Sequence, residues 1–276
     1  MDIVFFDLDG TLLNKDSVIS EFTRETLGLL TEKNIAHTVA TGRSMLSAQH
    51  VIDGHNFALP HIYNNGVTVW DPIGNALTLE NLLDQTEVMT IVECALANGI
   101  APFINTLDSD QNNHNHFIYH GQTRHQVEKN LIDNYYARSK ATLLPLDALP
   151  VNSQVTNISM IGEVQTIDKM WENLNQYDGI VAYSGTAIEG KEFNWMDVHH
   201  RLANKGSAVE NLKKQLGASN VICFGDSYND LSMFALADEC YAPDNAKDAI
   251  KKVASEVIGH HHTDGVAHFL RERFSL

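Results

Sequence analysis

The chain begins with a short apolar stretch that runs into a polar cluster, Ile3-Val4-Phe5-Phe6-Asp7-Leu8-Asp9-Gly10-Thr11-Leu12. The apolar, β-prone run Ile3–Phe6 predicts a strand that is buried on both faces of a parallel sheet. An apolar stripe from Ile19 to Leu30 predicts a helix that ends near Asn34, and Ile35–Ala40 predicts a second strand. A strand, a helix and a strand with short connections predict a right-handed βαβ unit.

The same order returns near the C-terminus, where a predicted helix at Ser207–Leu216 leads into a predicted strand at Val221–Phe224. The middle of the chain differs, because two helical patterns are separated by several β-prone stretches there. We therefore expect an α/β fold: a Rossmann-like parallel-sheet core built from residues 1–80 and 191–276, with an α+β cap domain inserted at 81–190. The polar stretch Ser109–Asn115 is predicted to be an exposed loop of this insert.

The chain has 276 residues, of which 43% are hydrophobic, and this is enough for two domains with buried cores. Lys and Arg total 19 against 35 Asp and Glu, so the formal net charge is −16. Such an acidic chain repels a phosphate backbone, and nucleic-acid binding is not expected. A small phosphorylated substrate would meet the same repulsion, so if one binds, a metal ion and one or two local cations must reverse the field at its site.

The N-terminal sequence lacks the basic start and long apolar region of a signal peptide, and no apolar run approaches the ~18 residues that span a bilayer. Cys94, Cys223 and Cys240 form no Cys-x-x-Cys pair. They are interpreted as thiols in a reducing compartment. We therefore expect a cytoplasmic protein without a membrane partner.

The strongest chemical signal is the pair Asp7 and Asp9, directly after the first predicted strand. Open parallel sheets bind ligands at the carboxyl ends of their strands, and residues two apart in extended backbone face the same side. Gly10 allows a sharp turn. The alternative is a solvated turn, because Asp-Gly is a common turn pair.

A second cluster, Gly225–Asp230, follows the last predicted strand and contains Asp226 and Asp230 four positions apart. Mg²⁺ prefers oxygen ligands, chiefly carboxylates with waters and a phosphate oxygen. The candidate protein ligands are Asp7, the backbone carbonyl of Asp9, Asp226 and, directly or through water, Asp230. Asn229 is predicted to hold a loop or to contact phosphate. The alternative interpretation is a capped junction between a loop and a helix.

Two further strings carry weaker signals. Thr41-Gly42-Arg43-Ser44 offers a hydroxyl and helix N-terminal amides that suit a phosphate, although a plain N-cap fits equally well. Arg43 is predicted to form an ion pair rather than to bind phosphate. The string Lys205-Gly206-Ser207 is not a P-loop, because it lacks the required glycine spacing. Lys205 is distinguished from a surface lysine only by its position, just before the predicted helix that leads into the strand preceding Asp226.

Taken in order, these four strings resemble the haloacid dehalogenase superfamily of phosphotransferases, and in particular its Cof-type branch. Asn64-Asn65-Gly66 and Asp264-Gly265-Val266-Ala267 are similar to further signatures of the family. The resemblance covers about residues 2–70 and 193–269. The length and placement of the insert fit the large α/β cap of that branch.

The resemblance implies a Mg²⁺-dependent phosphatase that hydrolyses a small phosphorylated metabolite through an aspartyl phosphate. Asp7 would be the nucleophile, and Asp9 would act first as acid and then as base. Thr41 and Gly42 would hold phosphoryl oxygens, Lys205 would neutralise charge, and Asp226 would anchor Mg²⁺. Two alternatives remain open: a phosphomutase with the same intermediate, and a non-catalytic sugar-phosphate sensor.

One conspicuous string, His260-His261-His262, is predicted to be a solvated loop rather than a metal site. The reason is that adjacent histidines are expected to point in different directions.

Overall fold

The computed structural model describes residues 2–110 and 113–276. The strands are β1 (Asp2–Phe6), β2 (Ala36–Val39), β3 (His61–Tyr63), β4 (Thr68–Asp71), β5 (Ala76–Leu79), β6 (Phe103–Asp110), β7 (Asn113–His120), β8 (Thr142–Pro145), β9 (Val155–Glu163), β10 (Ile180–Thr186), β11 (Phe193–His200), β12 (Asn220–Phe224), β13 (Glu239–Pro243) and β14 (Glu256–Ile258). The helices are α1 (Glu21–Glu32), α2 (Met45–Ile52), α3 (Gln85–Ala97), α4 (Gln126–Asn134), α5 (Val164–Leu174), α6 (Lys205–Leu216), α7 (Leu231–Phe234), α8 (Asp248–Lys251) and α9 (Gly265–Phe274). Short helical turns lie at Leu8–Leu12, Asn64–Gly66, Tyr136–Arg138, Leu146–Ala148, Tyr228–Asp230 and His261–Thr263.

The chain divides into two compact units. The first, called the core unit, contains the residues up to Thr78 together with Asn204–Leu276, and the second, called the insert, is Leu79–Ala203. The second boundary differs from the expected one at residues 190 and 191. The reason is that β11 pairs antiparallel with both β9 and β10, and is therefore a central strand of the insert's sheet.

The core unit contains a five-stranded sheet in the order β14-β13-β12-β1-β2, in which every neighbouring pair is parallel. Alternate side chains of β1 and β12 pack into hydrophobic clusters on opposite faces. Val4 and Phe224 lie in one cluster, whereas Ile3 and Val221 lie in the other. A strand that is buried on both faces needs apolar side chains along its length, as β1 and β12 have after their first residues. The predicted α/β core with a parallel sheet is confirmed.

All five strands of this parallel sheet end at the same edge, so the residues that follow them are neighbours. The polar residues after β1 and β12 therefore lie side by side, as the register Phe6 with Phe224 shows. Beyond β2, Ala40 makes a parallel bridge to Ile62 in β3, which begins a three-stranded sheet of order β3-β4-β5. The turn Asn64–Gly66 follows directly and is brought to the same edge.

The insert contains a six-stranded sheet in the order β10-β11-β9-β6-β7-β8, antiparallel except for the pair β7 and β8. Its own hydrophobic cluster joins α3 and α5 to one face of the sheet through residues such as Ile91, Ile158 and Ile167. The mixed α and β composition of the insert agrees with the sequence prediction. Helix α4, which buries Val127 and Glu128, was not among the predicted helices.

The polar stretch Ser109–Asn115 is not a loop along its whole length. Strands β6 and β7 extend to Asp110 and from Asn113, in a hairpin register that pairs Ser109 with His114. Backbone hydrogen bonds to a partner strand can hold polar residues in a β conformation that their composition does not favour. Gln111 and Asn112, which also belong to the predicted loop, lie outside the described residues. No helix in the described parts of the chain is long and apolar enough to cross a membrane.

Candidate active site

A fully buried lysine lies between two aspartates at the edge of the core unit's parallel sheet. The Nζ of Lys205 is 2.6 Å from Oδ1 of Asp7 and 2.6 Å from Oδ1 of Asp230. Lys205 and Asp230 are fully buried, and Asp7 is 5% exposed. A buried charge is tolerated only when it is paired and hydrogen-bonded, so this arrangement is a specific one. The sequence prediction that Lys205 lies with the aspartates, rather than on the surface, agrees with these positions.

Asp7 is positioned by the sheet and by the turn that follows it. Its backbone N–H donates to the carbonyl of Phe224 at 2.9 Å, which continues the pairing of β1 with β12. The chain then turns at Gly10, which has a φ of +75°. A Cβ atom at Gly10 would lie 2.4 Å from Oδ2 of Asp226. Both the backbone conformation and the close approach of Asp226 therefore require glycine here.

Asp230 organises the loop that carries Asp226. Its Oδ2 accepts the backbone N–H groups of Asp226 and Ser227, both at 2.9 Å, while Oδ1 accepts from Lys205. A Cβ atom at Gly225 would lie 2.5 Å from Cγ of Asp230, so the glycine makes room for this carboxylate. Both oxygens of Asp230 consequently have hydrogen-bond donors within the protein.

Lys205 is the first residue of α6, and the start of this helix is fixed tightly. The side chain of Asn204 accepts the backbone N–H of Ser207 at 2.9 Å and caps the helix. A Cβ atom at Gly206 would lie 2.3 Å from the carbonyl oxygen of Ser232, so α6 can approach α7 only with glycine at this position. The base of the lysine side chain is therefore fixed, and the Nζ reaches the two aspartates from a defined direction.

The cluster carries more negative than positive charge. Burial raises the pKa of Asp7 well above its usual range, and the charge of Lys205 opposes this shift. Burial, together with the charge of Asp230, raises the pKa of Asp226 to about 7. Burial lowers the pKa of Lys205, but the carboxylates of Asp230 and Asp7 outweigh this effect and leave its pKa raised. The site thus holds a permanent cation, while burial and mutual repulsion make the carboxylates of Asp7 and Asp226 resist ionisation.

Carboxylate oxygens of Asp7, Asp226 and Asp230 all lie within 4.8 Å of one another. A set of hard oxygen donors with excess negative charge fits a cation such as Mg²⁺. The side chain of Asp9 does not join this cluster. Arg43 binds it in a bidentate ion pair, with Nε 2.6 Å from Oδ2 and Nη2 2.6 Å from Oδ1. Asp9 is about half exposed there, and the pairing agrees with the ion-pairing role predicted for Arg43.

The strand next to β1 brings a second polar group to the same edge. The N–H of Ala40, just beyond β2, donates to the carbonyl of Phe6 at the end of β1 at 2.8 Å. Thr41 and Asp7 are the next residues of the two segments. The buried hydroxyl of Thr41 accepts the N–H of Arg43 at 3.1 Å. Helix α2 begins only at Met45, capped by Ser44, so Thr41 does not serve as its N-cap.

Asn65 joins the predicted phosphate-binding residues to one another. Its N–H donates to the carbonyl of Thr41 at 3.0 Å, and its Oδ1 accepts from Nδ2 of Asn229 at 2.9 Å. A Cβ atom at Gly42 would lie 3.3 Å from the same Oδ1. Asn65 is buried and has a φ of +52°, a conformation that asparagine tolerates better than most residues. The string Asn64-Asn65-Gly66 was a signal for this role, but it did not indicate which asparagine faces the site.

The sequence analysis assigned no role to Asn245. Its Nδ2 donates to the carbonyl of Gly10 at 2.7 Å, and its Oδ1 accepts the N–H of His261 at 3.1 Å. It therefore ties the turn after Asp7 to a distant loop. Both contacts depend on how distant segments meet, so its partners cannot be read from neighbouring positions.

Comparison with known proteins agrees with this fold and site. A family model described as haloacid dehalogenase-like hydrolase matches residues 4–270. The chain is 26% identical to a 5-amino-6-(5-phospho-D-ribitylamino)uracil phosphatase of Bacillus subtilis, covering 100% of this chain and 99% of that protein. It is 24% identical to a pyridoxal phosphate phosphatase of Escherichia coli, with 97% of each covered.

Among solved structures, a haloacid dehalogenase-like hydrolase from Bacteroides thetaiotaomicron has the same fold, with a TM-score of 0.77, 24% identity and 99% coverage of both chains. The resemblance predicted from the motifs at both ends of the chain is confirmed by these matches over nearly its whole length. The chain therefore belongs to the haloacid dehalogenase-like hydrolases.

Proposed function

We propose that this protein is a Mg²⁺-dependent phosphatase that hydrolyses a small phosphorylated metabolite through an aspartyl phosphate on Asp7. The observation that carries the proposal is the carboxylate of Asp7, held by the buried Nζ of Lys205 beside Asp226 and Asp230. A nucleophilic carboxylate has to be fixed in place and surrounded by positive charge before it can approach an anionic ester. Lys205 supplies one such charge.

Lys205 contacts Oδ1 of Asp7, which leaves Oδ2 as the attacking atom. The lysine fixes the direction of the carboxylate and stabilises negative charge that develops on phosphoryl oxygens. Asp226, with Asp7 and the backbone carbonyl of Asp9, would hold Mg²⁺. The bound ion would offset the repulsion between carboxylate and phosphate. Because both of its oxygens accept hydrogen bonds, we assign Asp230 to positioning Lys205 and the loop of Asp226 rather than to direct contact with the ion.

Asp9 is assigned the proton transfers. As an acid it protonates the leaving oxygen, and as a base it removes a proton from the water that hydrolyses the aspartyl phosphate. Both of its oxygens accept from Arg43 in this structure. Asp9 therefore has to leave this ion pair in order to carry a proton, and Arg43 is the residue that holds it between turnovers.

The phosphoryl group is assigned to Thr41, Gly42 and Asn229 together with Lys205. The hydroxyl of Thr41 accepts the N–H of Arg43, so its own hydrogen is available to a phosphoryl oxygen. The side chain of Gly42 is a hydrogen, which lets backbone amides approach an anion closely. The amide of Asn229 is oriented by its bond to Asn65.

The substrate class is proposed from relatives and from the division of the chain. The two relatives named above are phosphatases of small phosphorylated metabolites, a phosphoribitylamino-uracil and pyridoxal phosphate. All residues assigned to chemistry lie in the core unit, so we assign substrate selection to the insert. The cytoplasmic location and the lack of nucleic-acid and membrane partners stay predictions of the sequence.

The test is phosphate release from a panel of phosphorylated vitamins, sugars and nucleotides, with Mg²⁺ and with a chelator. We expect release from a subset of the panel with Mg²⁺ only. If sugar phosphates were isomerised without phosphate release, the phosphomutase alternative would replace this proposal. Ligand binding without any turnover of the panel or of an activated aryl phosphate would favour the sensor.

A further inference from the structure

The three consecutive histidines of the core unit converge instead of diverging. Potential ligand atoms of His260, His261 and His262 all lie within 4.8 Å of one another. Their ring centroids are 5.0 Å apart for the first pair, 4.0 Å for the second, and 4.7 Å between His260 and His262. The prediction that these side chains point in different directions is wrong, because the chain makes a tight turn at His261–Thr263 and is not extended there.

The ring of His261 is oriented by a hydrogen bond from its Nδ1. This atom lies 2.7 Å from the carbonyl oxygen of Leu13, and because a carbonyl can only accept, Nδ1 carries the hydrogen. The lone pair of a neutral ring is then on Nε2. Metal-binding histidines usually donate from their other nitrogen to a carbonyl or carboxylate in this way, which fixes both tautomer and ring orientation.

We propose that His260, His261 and His262 form a binding site for a divalent transition metal ion of the Zn²⁺, Ni²⁺ and Cu²⁺ class. Imidazole nitrogens prefer these ions, whereas the oxygen donors around Asp7 and Asp226 suit Mg²⁺. The two sites therefore differ in chemistry as well as in residues. The chain's net charge of −16 attracts cations to its surface, and His262 is exposed, so an ion can enter from solvent.

The three histidines do not contribute equally. The Nδ1 of His260 accepts the backbone N–H of His262 at 3.1 Å, which caps the turn. In the neutral form its hydrogen is therefore on Nε2, and His260 can bind an ion only by giving up this bond or by moving its proton. His261 needs no such change. We expect His261 and His262 to provide most of the affinity.

The site is connected to the turn Leu8–Leu12 that follows Asp7. His261 holds the carbonyl of Leu13 through its ring, and its backbone N–H is bound by Asn245, which also binds the carbonyl of Gly10. An ion that fixes the ring of His261 thus strengthens two connections to this turn. Because it binds the folded state, the ion also raises the melting temperature.

The test is calorimetric titration of Zn²⁺ into the full chain, purified without a histidine tag, in excess Mg²⁺ so that the carboxylate site is filled. We expect one Zn²⁺ per chain, and a rise in Tm on binding. His261→Asn and His262→Asn should each weaken binding by about tenfold or more, the scale of losing a ligand or its support. His260→Asn keeps a residue that can cap the turn and should weaken binding less.

The matched control is His50→Asn, which removes an exposed histidine of α2 far along the chain from the turn. It should leave Zn²⁺ binding unchanged. Cu²⁺ bound to the wild type should show imidazole nitrogen couplings in its electron paramagnetic resonance spectrum, and His262→Asn should reduce them. Because His262 is exposed, this variant should keep its circular dichroism spectrum. Zn²⁺ binding that is absent in excess Mg²⁺, or that survives both His261→Asn and His262→Asn, would overturn the proposal.

Discussion

The core unit and the insert each bury carboxylates, but they satisfy them in different ways. In the insert, Glu128 is fully buried and accepts three backbone N–H groups, those of Ala101 at 2.7 Å, Arg124 at 2.6 Å and His125 at 2.9 Å. These neutral donors belong to the segment that leads into α4 and to the segment just before β6. The carboxylate therefore closes a structural junction, with no charged partner in these contacts.

In the core unit, Asp7, Asp226 and Asp230 surround a single buried cation, Lys205. Burial and mutual repulsion leave the pKa of Asp226 at about 7. Burial alone therefore does not mark a functional carboxylate. Glu128 stabilises the fold, whereas the core cluster is arranged at some cost to the fold, as is common where charge is held ready for a ligand.

The largest effect expected from this contrast is on turnover. Asp7→Asn should lower kcat by about 10⁴-fold or more, the scale for loss of a catalytic nucleophile, because the amide cannot attack phosphorus. The Tm should not fall, since a neutral group relieves the excess negative charge. Phosphate release and thermal unfolding measure the two effects. Asp16→Asn, at an exposed position of the same unit, is the control. Turnover within tenfold of wild type would show that Asp7 is not the nucleophile.

Lys205→Met should reduce both stability and activity. Removal of one partner of a buried ion pair typically costs about 3–5 kcal/mol, because the remaining charges are left uncompensated. Activity should fall by on the order of 10²–10³-fold, as for other groups aimed at developing charge. Chemical denaturation and phosphate release test these losses. The control is Lys214→Met on the same helix, which removes an exposed lysine and should change neither the free energy of unfolding nor phosphate release. If Lys205→Met also changed neither quantity, Lys205 would be no more important than a surface lysine.

The stability of the core unit should depend on pH through Asp226. Asp226 has a folded-state pKa of about 7 against an ordinary value of 3.8, so between these values the folded state binds more protons than the unfolded state. Its contribution to stability is present at low pH and is lost as pH rises towards 7. With a chelator present, the free energy of unfolding of the wild type should therefore fall by a few kcal/mol relative to that of Asp226→Asn between pH 5 and pH 8. The reason is that one pKa unit is worth about 1.4 kcal/mol.

Added Mg²⁺ should reverse this loss in the wild type at pH 8, because the ion binds the ionised carboxylate. Thermal unfolding of both proteins across the pH range provides the measurement. If the Tm of the wild type and the Tm of Asp226→Asn changed with pH in parallel, the carboxylate of Asp226 would ionise in the folded state as it does in water.

The smallest expected effect concerns the insert. Glu128→Ala leaves three backbone N–H groups without their acceptor, among them that of the buried Ala101, and should lower the free energy of unfolding by about 1–3 kcal/mol. At a temperature where the variant is folded, the Mg²⁺ requirement should be unchanged. Glu172→Ala, at an exposed position of α5, is the matched control for stability. A changed Mg²⁺ requirement in Glu128→Ala would show that this carboxylate is not only structural.

Much of the core unit was predictable because its signals are local. The apolar runs at Ile3–Phe6 and Val221–Phe224 are strands β1 and β12, since a strand buried on both faces has to be continuously apolar. The positions of Asp7 and Asp226 beyond these strands followed at once. The insert was predicted less completely. Strand β11 was assigned to the core unit, because its pattern does not reveal that it pairs with β9 and β10.

The family, the α/β class and the candidate residues can be deduced from the sequence alone, because motif order and hydrophobic periodicity are properties of neighbouring positions. The tertiary structure decided which side chains meet. Lys205 reaches Asp7 across 198 positions, Arg43 holds Asp9, and three adjacent histidines converge at a turn. Each of these depends on strand order and on close approach of distant loops. The raised pKa of Asp226 likewise exists only once folding removes water from the cluster.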